Sequence, residues 1–369
     1  MGGKRSGDSG GGRATLARVA AELGVSAMTV SNAYRRPDQL SSALRERVFE
    51  TAERLGYAGP DPVARSLRRS RTDVVGVVYS NPLSYAFEDA AAVAFLAGLG
   101  GVTEGERLGL LLVPAAAGRP SGRDPRAAGE AAVDGFVVYS MADDEPLLLA
   151  ALGRRLPAVV VDQPVRDGVP FVGIDDRAAA RAAAEHLLGL GHERLGIVAS
   201  GLSADGRDGF AGRGRQEGAS LRISRERLAG YGAALSEAGL AWGDVPVYEC
   251  PGSEEWMGRR AAEALLARGP RPTALLCFSD RLALGAIEAA RAAGLSVPGD
   301  LSVVGFDDAP VIADAASLTT VHQDHRGKGR VAGEMLVSLL RDGEVSGPVL
   351  LPTRLVERTS TAPPRDARA

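Results

Sequence analysis

With 369 residues, 45% of them hydrophobic and 24% charged, the chain reads as a globular protein of about two or three domains. No apolar run approaches the roughly 18–20 residues that a membrane span requires, so no membrane partner is expected. The net charge of −3 argues by itself against nucleic acid, but residues 1–71 carry 13 Lys/Arg against 7 Asp/Glu, net +6, which leaves −9 for the remainder. A basic head on an acidic body is the electrostatic footprint of a DNA binder with a regulatory domain.

Residues 1–13, MGGKRSGDSGGGR, form a Gly/Ser-rich tail expected to be disordered. The tail has no apolar stretch of the kind a secretory signal needs, and a cytoplasmic location is expected. In the following LARVAAELGVSAMTV, apolar residues recur at helical spacing, Gly24 interrupts them and Ser26 restarts the helix. Glycine tolerates the backbone that ends the first helix, and Ser26 can accept a backbone N–H at the start of the second. Val19, Ala20, Leu23 and Val25 are expected to face inward against Val30 and Ala33. That leaves Ala27, Met28, Ser31 and Asn32 on an outward face, where a recognition helix meets base edges.

Arg35, Arg36 and Pro37 are read as the connection to a third helix from about Ser42 to Leu55, with Leu44, Val48, Ala52 and Leu55 as its apolar stripe. The two arginines and the hydroxyls of Ser26, Thr29 and Ser31 suit backbone phosphates, contacts that set register without reading sequence. Asn32 can pair with adenine through two hydrogen bonds, while Ala27 and Met28 offer only apolar contact, for example to a thymine methyl. The alternative for Met28 is a plain surface methionine. Next, Asp61 suits an N-cap and Pro62 the first helical position. Val63–Leu67 makes barely two turns, too short to be helical alone in water, so it is expected to fold only when docked. The alternative for 58–71 is a plain Pro/Arg-rich linker.

From Val74 onward, short apolar runs alternate with helical stretches. Strands are predicted at Val74–Tyr79, Leu108–Pro114, Gly135–Tyr139, Ala158–Val161, Leu195–Val198, Val245–Glu249, Ala274–Phe278 and Leu301–Gly305. Helices are predicted at Arg177–Leu190, Arg227–Ala238, Trp256–Ala267 and Arg281–Ala293. This is the alternation of parallel sheets covered on both faces, with too many strands for one small sheet. Two similar α/β lobes are expected, with ligands at the carboxyl ends of their strands. Cys250 and Cys277 sit in strand-like runs and read as reduced core thiols, and there is no CxxC metal motif.

The head resembles the lactose/galactose repressor (LacI/GalR) family. The residues that carry the resemblance are Thr15, Leu16, Val19, Ala20, Gly24, Val25, Ser26, Thr29, Val30 and Ser31, then Arg45, Val48 and Leu55-Gly56-Tyr57. It continues over roughly 15–360 through EHLLGLGHERLGIV (185–198), RERLAGY (225–231), TALLCFSDRLALGAI (273–287), VPGDLSVVGFDD (297–308), LTTVHQD (318–324) and PTRLVERTST (352–361). The resemblance implies a small all-α helix-turn-helix head over 14–58 and a hinge helix over 59–71. It implies an α/β body of two periplasmic-binding-protein-like lobes over 72–369. The first lobe would hold about 72–173 and 322–350, and the second about 174–321 and 351–361, with crossings near Gly173, Val321 and Leu351.

The resemblance also implies a homodimeric regulator, most simply a repressor, on double-stranded, pseudo-palindromic operator DNA. A small-molecule effector such as a sugar would control it, with no cofactor, no metal and no enzymatic activity. DNA contacts would come from Thr15, Ser26, Ala27, Met28, Thr29, Ser31, Asn32 and Arg35. Positions 27, 28 and 32 would read bases, and Val63, Ala64 and Leu67 would act at the hinge, with Leu67 as a minor-groove wedge. The spacing from Tyr57 to Leu67 is one residue longer than is commonest in the family.

Ligand contacts are expected from Phe87 in the loop after the first strand, Asp162 after the fourth, and Arg227 at the start of a helix. Ser279 at the end of ALLCF, Asp307 after SVVGF and Gln323 at a crossover complete the set. The alternative for Arg227, Ser279 and Asp307 is a structural ion pair or helix cap. Asp280 is read as the cap of the helix after it, and Asp308 as a loop residue. Ser279 departs from the amide or acid often found in relatives, so the ligand's polar pattern cannot be copied from them. An acid, an arginine and an amide around an aromatic ring suit a polyhydroxylated molecule.

His322 and His325 have metal-like spacing but no acidic cluster, and are read as strand-end or loop residues. GRGRQEG (212–218) lacks the lysine of a phosphate loop and does not directly join a strand to a helix. The Gly/Arg-rich 200–224 stretch is read as a mobile flap near the cleft or a tolerated insertion. A transport solute-binding protein would share the body but not the basic head. An α/β enzyme would need a catalytic set, and no Ser/His/Asp constellation with a nucleophile elbow is present.

Overall fold

The computed structural model describes residues 14–59, 71–79, 83–114, 125–309, 316–345 and 347–365. The predicted hinge residues Val63, Ala64 and Leu67 lie outside these. The chain divides into two units, Met1–Thr72 and Asp73–Ala369.

In the first unit, α1 (Leu16–Leu23), α2 (Ala27–Arg35) and α3 (Ser42–Arg54) enclose a core of Val19, Ala20, Val30, Ala33, Val48 and Ala52. Each helix starts on a hydroxyl cap: Thr15, Ser26 and Ser41 accept the backbone N–H groups of Arg18, Thr29 and Leu44. Gly24 ends α1 in the left-handed region at φ 65°, where a side chain would be strained. The Arg35–Pro37 connection differs from expectation: Arg35 is the last residue of α2, and a 3-10 turn at Pro37–Gln39 makes the link. Tyr34 stands edge-on to both Phe49 and Tyr57, and Arg54 pairs with Glu22 at 3.1 Å, tying α3 to α1.

The second unit runs β1 (Val74–Tyr79), a one-turn helix Tyr85–Glu88, α4 (Ala90–Gly105), β2 (Gly109–Pro114), a one-turn helix Arg126–Gly129, β3 (Gly135–Tyr139), α5 (Pro146–Gly153), β4 (Ala158–Val161) and β5 (Phe171–Ile174). It continues with α6 (Asp176–Gly189), β6 (Leu195–Ala199), β7 (Gly209–Phe210), a short helix Arg213–Glu217, α7 (Arg222–Glu237), β8 (Val247–Glu249), α8 (Glu255–Leu266), β9 (Ala274–Cys277) and α9 (Asp280–Ala292). Last come β10 (Ser302–Asp307), β11 (Thr319–Gln323), α10 (His325–Leu340), β12 (Val349–Leu351) and β13 (Thr353–Val356).

These strands form two sheets, one ordered β12-β5-β4-β3-β1-β2 and the other β13-β11-β10-β9-β6-β8-β7. The first is parallel throughout, and the second is parallel except for β13 and β7 at its two edges. The chain passes between the sheets three times, after β5, after β11 and after β12.

Three helix pairs, α4 with α10, α6 with α7, and α8 with α9, pack closely at glycines. A Cβ on Gly98 would collide with the carbonyl oxygen of Arg326, and one on Gly329 with that of Phe95. Large apolar cores cover both faces of the sheets, and both cysteines are buried free thiols. No helix among the described residues is long and apolar enough to cross a membrane.

The 200–224 stretch is folded. β7 pairs antiparallel with β8, and the helix after it is held by Arg215, whose guanidinium grips the fully buried Glu249 at 2.6 Å and Asp205 at 2.6 Å. Its Gly-rich composition conceals a buried ion-pair anchor.

Candidate functional site

On the first unit, Ser26 fixes the start of α2. Its Oγ accepts the Thr29 N–H at 3.0 Å and lies 2.9 Å from the Thr29 hydroxyl. One turn of exposed helix follows, with Ala27 open to solvent, Met28 69% exposed, and Ser31 and Asn32 half-buried beside them. The caps by Thr15 and Ser26 occupy one acceptor site on each hydroxyl and leave the oxygen at the surface. Arg36 is exposed at the end of α2. This face is small, partly apolar and backed by a rigid core, and it carries a single amide able to make a two-point contact with a base edge.

On the second unit, the carboxyl ends of both sheets converge on a cavity of about 190 Å³. Tyr79 and Tyr139 end β1 and β3 of one sheet and Asp162 follows its β4; Asp307 and Gln323 end β10 and β11 of the other, and Ser279 follows β9. Asp162, Arg227, Ser279, Asp307 and Gln323 all line this cavity. Phe87 is not among the lining residues, and the residue is 65% exposed in the one-turn helix after β1. The aromatic wall is made instead by Tyr79 and Tyr139, stacked at 5.5 Å with 8° between their planes. Both are the last residues of predicted strands, a position that could have marked them.

The polar groups are held in place from behind. Lys328 of α10 is buried and donates to Asp162 Oδ1 at 2.6 Å and to Gln323 Oε1 at 2.5 Å. With its oxygen taken, Gln323 donates from Nε2 to Asp307 Oδ1 at 2.5 Å. Arg227, in the second turn of α7, donates from Nε to the buried Asp176 at 3.1 Å and from Nη1 to the Phe278 carbonyl at 2.6 Å, with its guanidinium 3.5 Å over the Phe306 ring. Its Nη2 makes no hydrogen bond within the described protein. The same Asp176 takes Arg222, and Gln163 accepts the Ile223 N–H at 3.1 Å, which ties α7 to the end of β4.

Capping at α9 falls on Ser279, whose Oγ accepts the Leu282 N–H at 3.2 Å. The expectation that Asp280 caps is corrected: its carboxylate turns inward to the Thr320 hydroxyl at 2.5 Å and the Ala309 N–H at 2.8 Å. Burial, with the neighbouring Asp307, pushes Asp280 well above the usual carboxylate range. Asp308 joins Arg358 at 2.8 Å and His322 at 2.9 Å. These bonds hold it below the usual range against the opposing effect of burial.

Three of the residues lining the cavity, Ser140, Asp162 and Asp307, have positive φ of 47°, 65° and 116°. Such conformations persist where the surroundings enforce them, commonly at ligand sites. Among the described residues no cluster of three or more metal-ligating side chains occurs. The arrangement presents carboxylate acceptors, a guanidinium donor and two phenolic rings around a space for a small hydroxylated molecule.

Comparison with known proteins gives two family matches: bacterial regulatory proteins of the lacI family over residues 15–59, and a periplasmic-binding-protein-like domain over 184–361. A helix-turn-helix-type transcriptional regulator of Mycobacterium tuberculosis is 47% identical over 355 residues, covering 95% of this chain and 98% of its own. The lac repressor dimer bound to operator and the anti-inducer ONPF is 27% identical with a TM-score of 0.75, covering 95% of this chain and all of its own. A complex of the regulator CelR with cellobiose is 29% identical with a TM-score of 0.67, covering 94% of this chain and all of its own.

Proposed function

This chain belongs to the lacI family of bacterial regulatory proteins, and from that premise we propose that it represses transcription as a homodimer on a pseudo-palindromic operator, under the control of a sugar-like effector between the two lobes. The observation that carries this reading is the convergence of Asp162, Arg227, Ser279, Asp307 and Gln323, from the strand ends of two sheets and from α7, on one cavity. Acids that accept from hydroxyls, a forked donor and stacked phenols suit a polyhydroxylated ring. Cellobiose in a relative of the same fold supports that class.

The exposed turn of α2, with Ala27, Met28, Ser31 and Asn32, enters the major groove, while Thr15, Ser26, Thr29 and Arg35 contact phosphates. Val63, Ala64 and Leu67 act at the minor groove. Dimer formation is supported by β2, an edge strand whose Leu110 and Leu111 are exposed, with Val93 of α4 also open. An apolar, unpaired sheet edge invites pairing unless it is covered, and a second copy covers it. Effector binding alters the angle between the lobes and so the cost of ordering the hinge segments on DNA. A coupling of about 1–3 kcal/mol gives useful regulation.

The test is a gel-retardation assay of the full chain on promoter DNA across a salt series, with and without added sugars. The expected result is binding that weakens steeply with salt, as phosphate contacts require, and that responds to at least one sugar. Salt-independent binding, or none, would overturn the reading.

A further inference from the structure

A second cavity lies at the other end of the strands that carry the cleft. Arg194 immediately precedes β6, Pro270, Arg271 and Thr273 precede β9, and Asp300 precedes β10; these three strands are neighbours in one sheet. With Arg365 from the C-terminal segment, these residues line a space of about 420 Å³, within the roughly 300–1,000 Å³ of small-ligand sites. Three arginines against one acid give it an excess of two positive charges, although residues 72–369 as a whole carry net −9. Like charges gathered at one place repel, and an anion among them relieves the repulsion.

The one acid is spoken for. Oδ2 of Asp300 accepts from the Ser296 N–H at 2.8 Å and from the Ser296 hydroxyl at 2.6 Å, while Oδ1 takes Arg365. The Ser296 bonds, with Arg365 and Arg271 nearby, hold its carboxyl below the usual range. Arg194 donates from Nε to the Arg271 carbonyl at 3.3 Å, which joins the loops before β6 and β9. The Arg271 guanidinium itself makes no hydrogen bond or ion pair among the described residues, and the residue is exposed.

We infer that this cavity binds a phosphate group, free or carried by a small metabolite, with Arg271 as the principal contact and Arg194 and Arg365 beside it. Planar guanidiniums offer paired N–H donors that match a phosphate in shape and charge. The site stands apart from the cleft and does not depend on the sugar reading. The strands β6, β9 and β10 run from it to Ser200, Ser279 and Asp307 at the cleft.

The test titrates the full chain with inorganic phosphate and with glucose 6-phosphate by calorimetry, at fixed ionic strength in chloride. The wild type should bind at least one of them. Arg271→Ser removes an exposed guanidinium that supports no other side chain, so the variant should fold as the wild type does. It should bind the same anion about tenfold more weakly or worse, and Arg271→Lys, which keeps the charge but not the fork, should fall between the two. Tighter binding of the sugar phosphate would identify a phosphorylated metabolite as the source, and equal binding would identify free phosphate; either supports the site. Equal affinity of the wild type and Arg271→Ser would place the anion elsewhere on the chain and overturn the inference. No binding of either anion by the wild type would overturn it as well, and leaves the reading of the cleft untouched.

Discussion

Lys328 places its ammonium nitrogen 2.6 Å from Oδ1 of Asp162, and both side chains are almost wholly shielded from water. Removing one partner of such a pair leaves an uncompensated charge in a poorly solvated place. Lys328→Met is expected to lower stability by about 3–5 kcal/mol, read as a shift of the urea midpoint. Adding Asp162→Asn should recover part of the loss, and strictly additive effects would mean the two groups do not interact.

Asp307→Ala should leave operator binding intact and abolish the response to effector, because the side chain faces the cavity and belongs to the second unit. The check is gel retardation with and without a small molecule to which the wild type responds. A normal response would remove Asp307 from the ligand contacts.

Asn32 is the one side chain on the exposed turn of α2 that can read adenine at two points. Asn32→Ala is expected to relax base preference at one position per half-site, at a cost of about 1–3 kcal/mol for the preferred sequence. Selection from a randomised operator library gives the readout, and an unchanged preference would refute the assignment.

Burial pushes the imidazole of His192 below its ordinary value of 6.5, outweighing the hydrogen bond to the Ala362 carbonyl, and His186 shifts the same way. The unfolded chain therefore takes up protons below about pH 6.5 that the native state resists, so stability rises with pH in this window. The melting temperature should be sustained at neutral pH and decline as pH falls from 6.5. In His192→Gln that decline should be shallower. An identical slope in the variant would exclude His192 as its source.

A methyl group on Gly329 would run into the backbone carbonyl of Phe95 on the facing helix. Gly329→Ala is expected to cost about 1–3 kcal/mol through forced separation of α4 and α10. By contrast, Gly101 on α4 has nothing within 4 Å of an added Cβ, and Gly101→Ala should gain up to about 1 kcal/mol from helix propensity. Denaturant midpoints of the two variants test the pair.

Much of the architecture could be read from apolar runs. Val74–Tyr79, Gly135–Tyr139 and Ala158–Val161 coincide with β1, β3 and β4, because strands covered on both faces are continuous in Val, Ile and aromatics. β11 was not predicted because TTVHQ looks polar. Its buried Thr319 and Thr320 are satisfied by Ser360 and Asp280, partners 40 or so residues distant that no local pattern reveals. Phe171–Ile174, Val349–Leu351 and Thr353–Val356 become strands by pairing to a sheet.

In the cavity, residues at strand ends were foreseeable from position alone. Lys328 was not, since a lysine on a helix ordinarily points to water. Nor was His325, whose spacing from His322 is metal-like and which reads as a strand-end or loop residue, but which begins α10. Phe87 was chosen for its ring, yet Tyr79 and Tyr139 make the stacked pair at the wall.

The three passages of the chain between the sheets carry a consequence for anyone recombining such proteins. Neither half of the body is a continuous stretch of gene, so exchanging one half for a relative's would need joins near residues 175, 324 and 352 simultaneously. A single splice between Thr72 and Asp73 respects the unit boundary. Chimeras that graft a new sensor onto an existing address reader should therefore be cut there, and single-crossover libraries inside the body should return mostly unfolded chains.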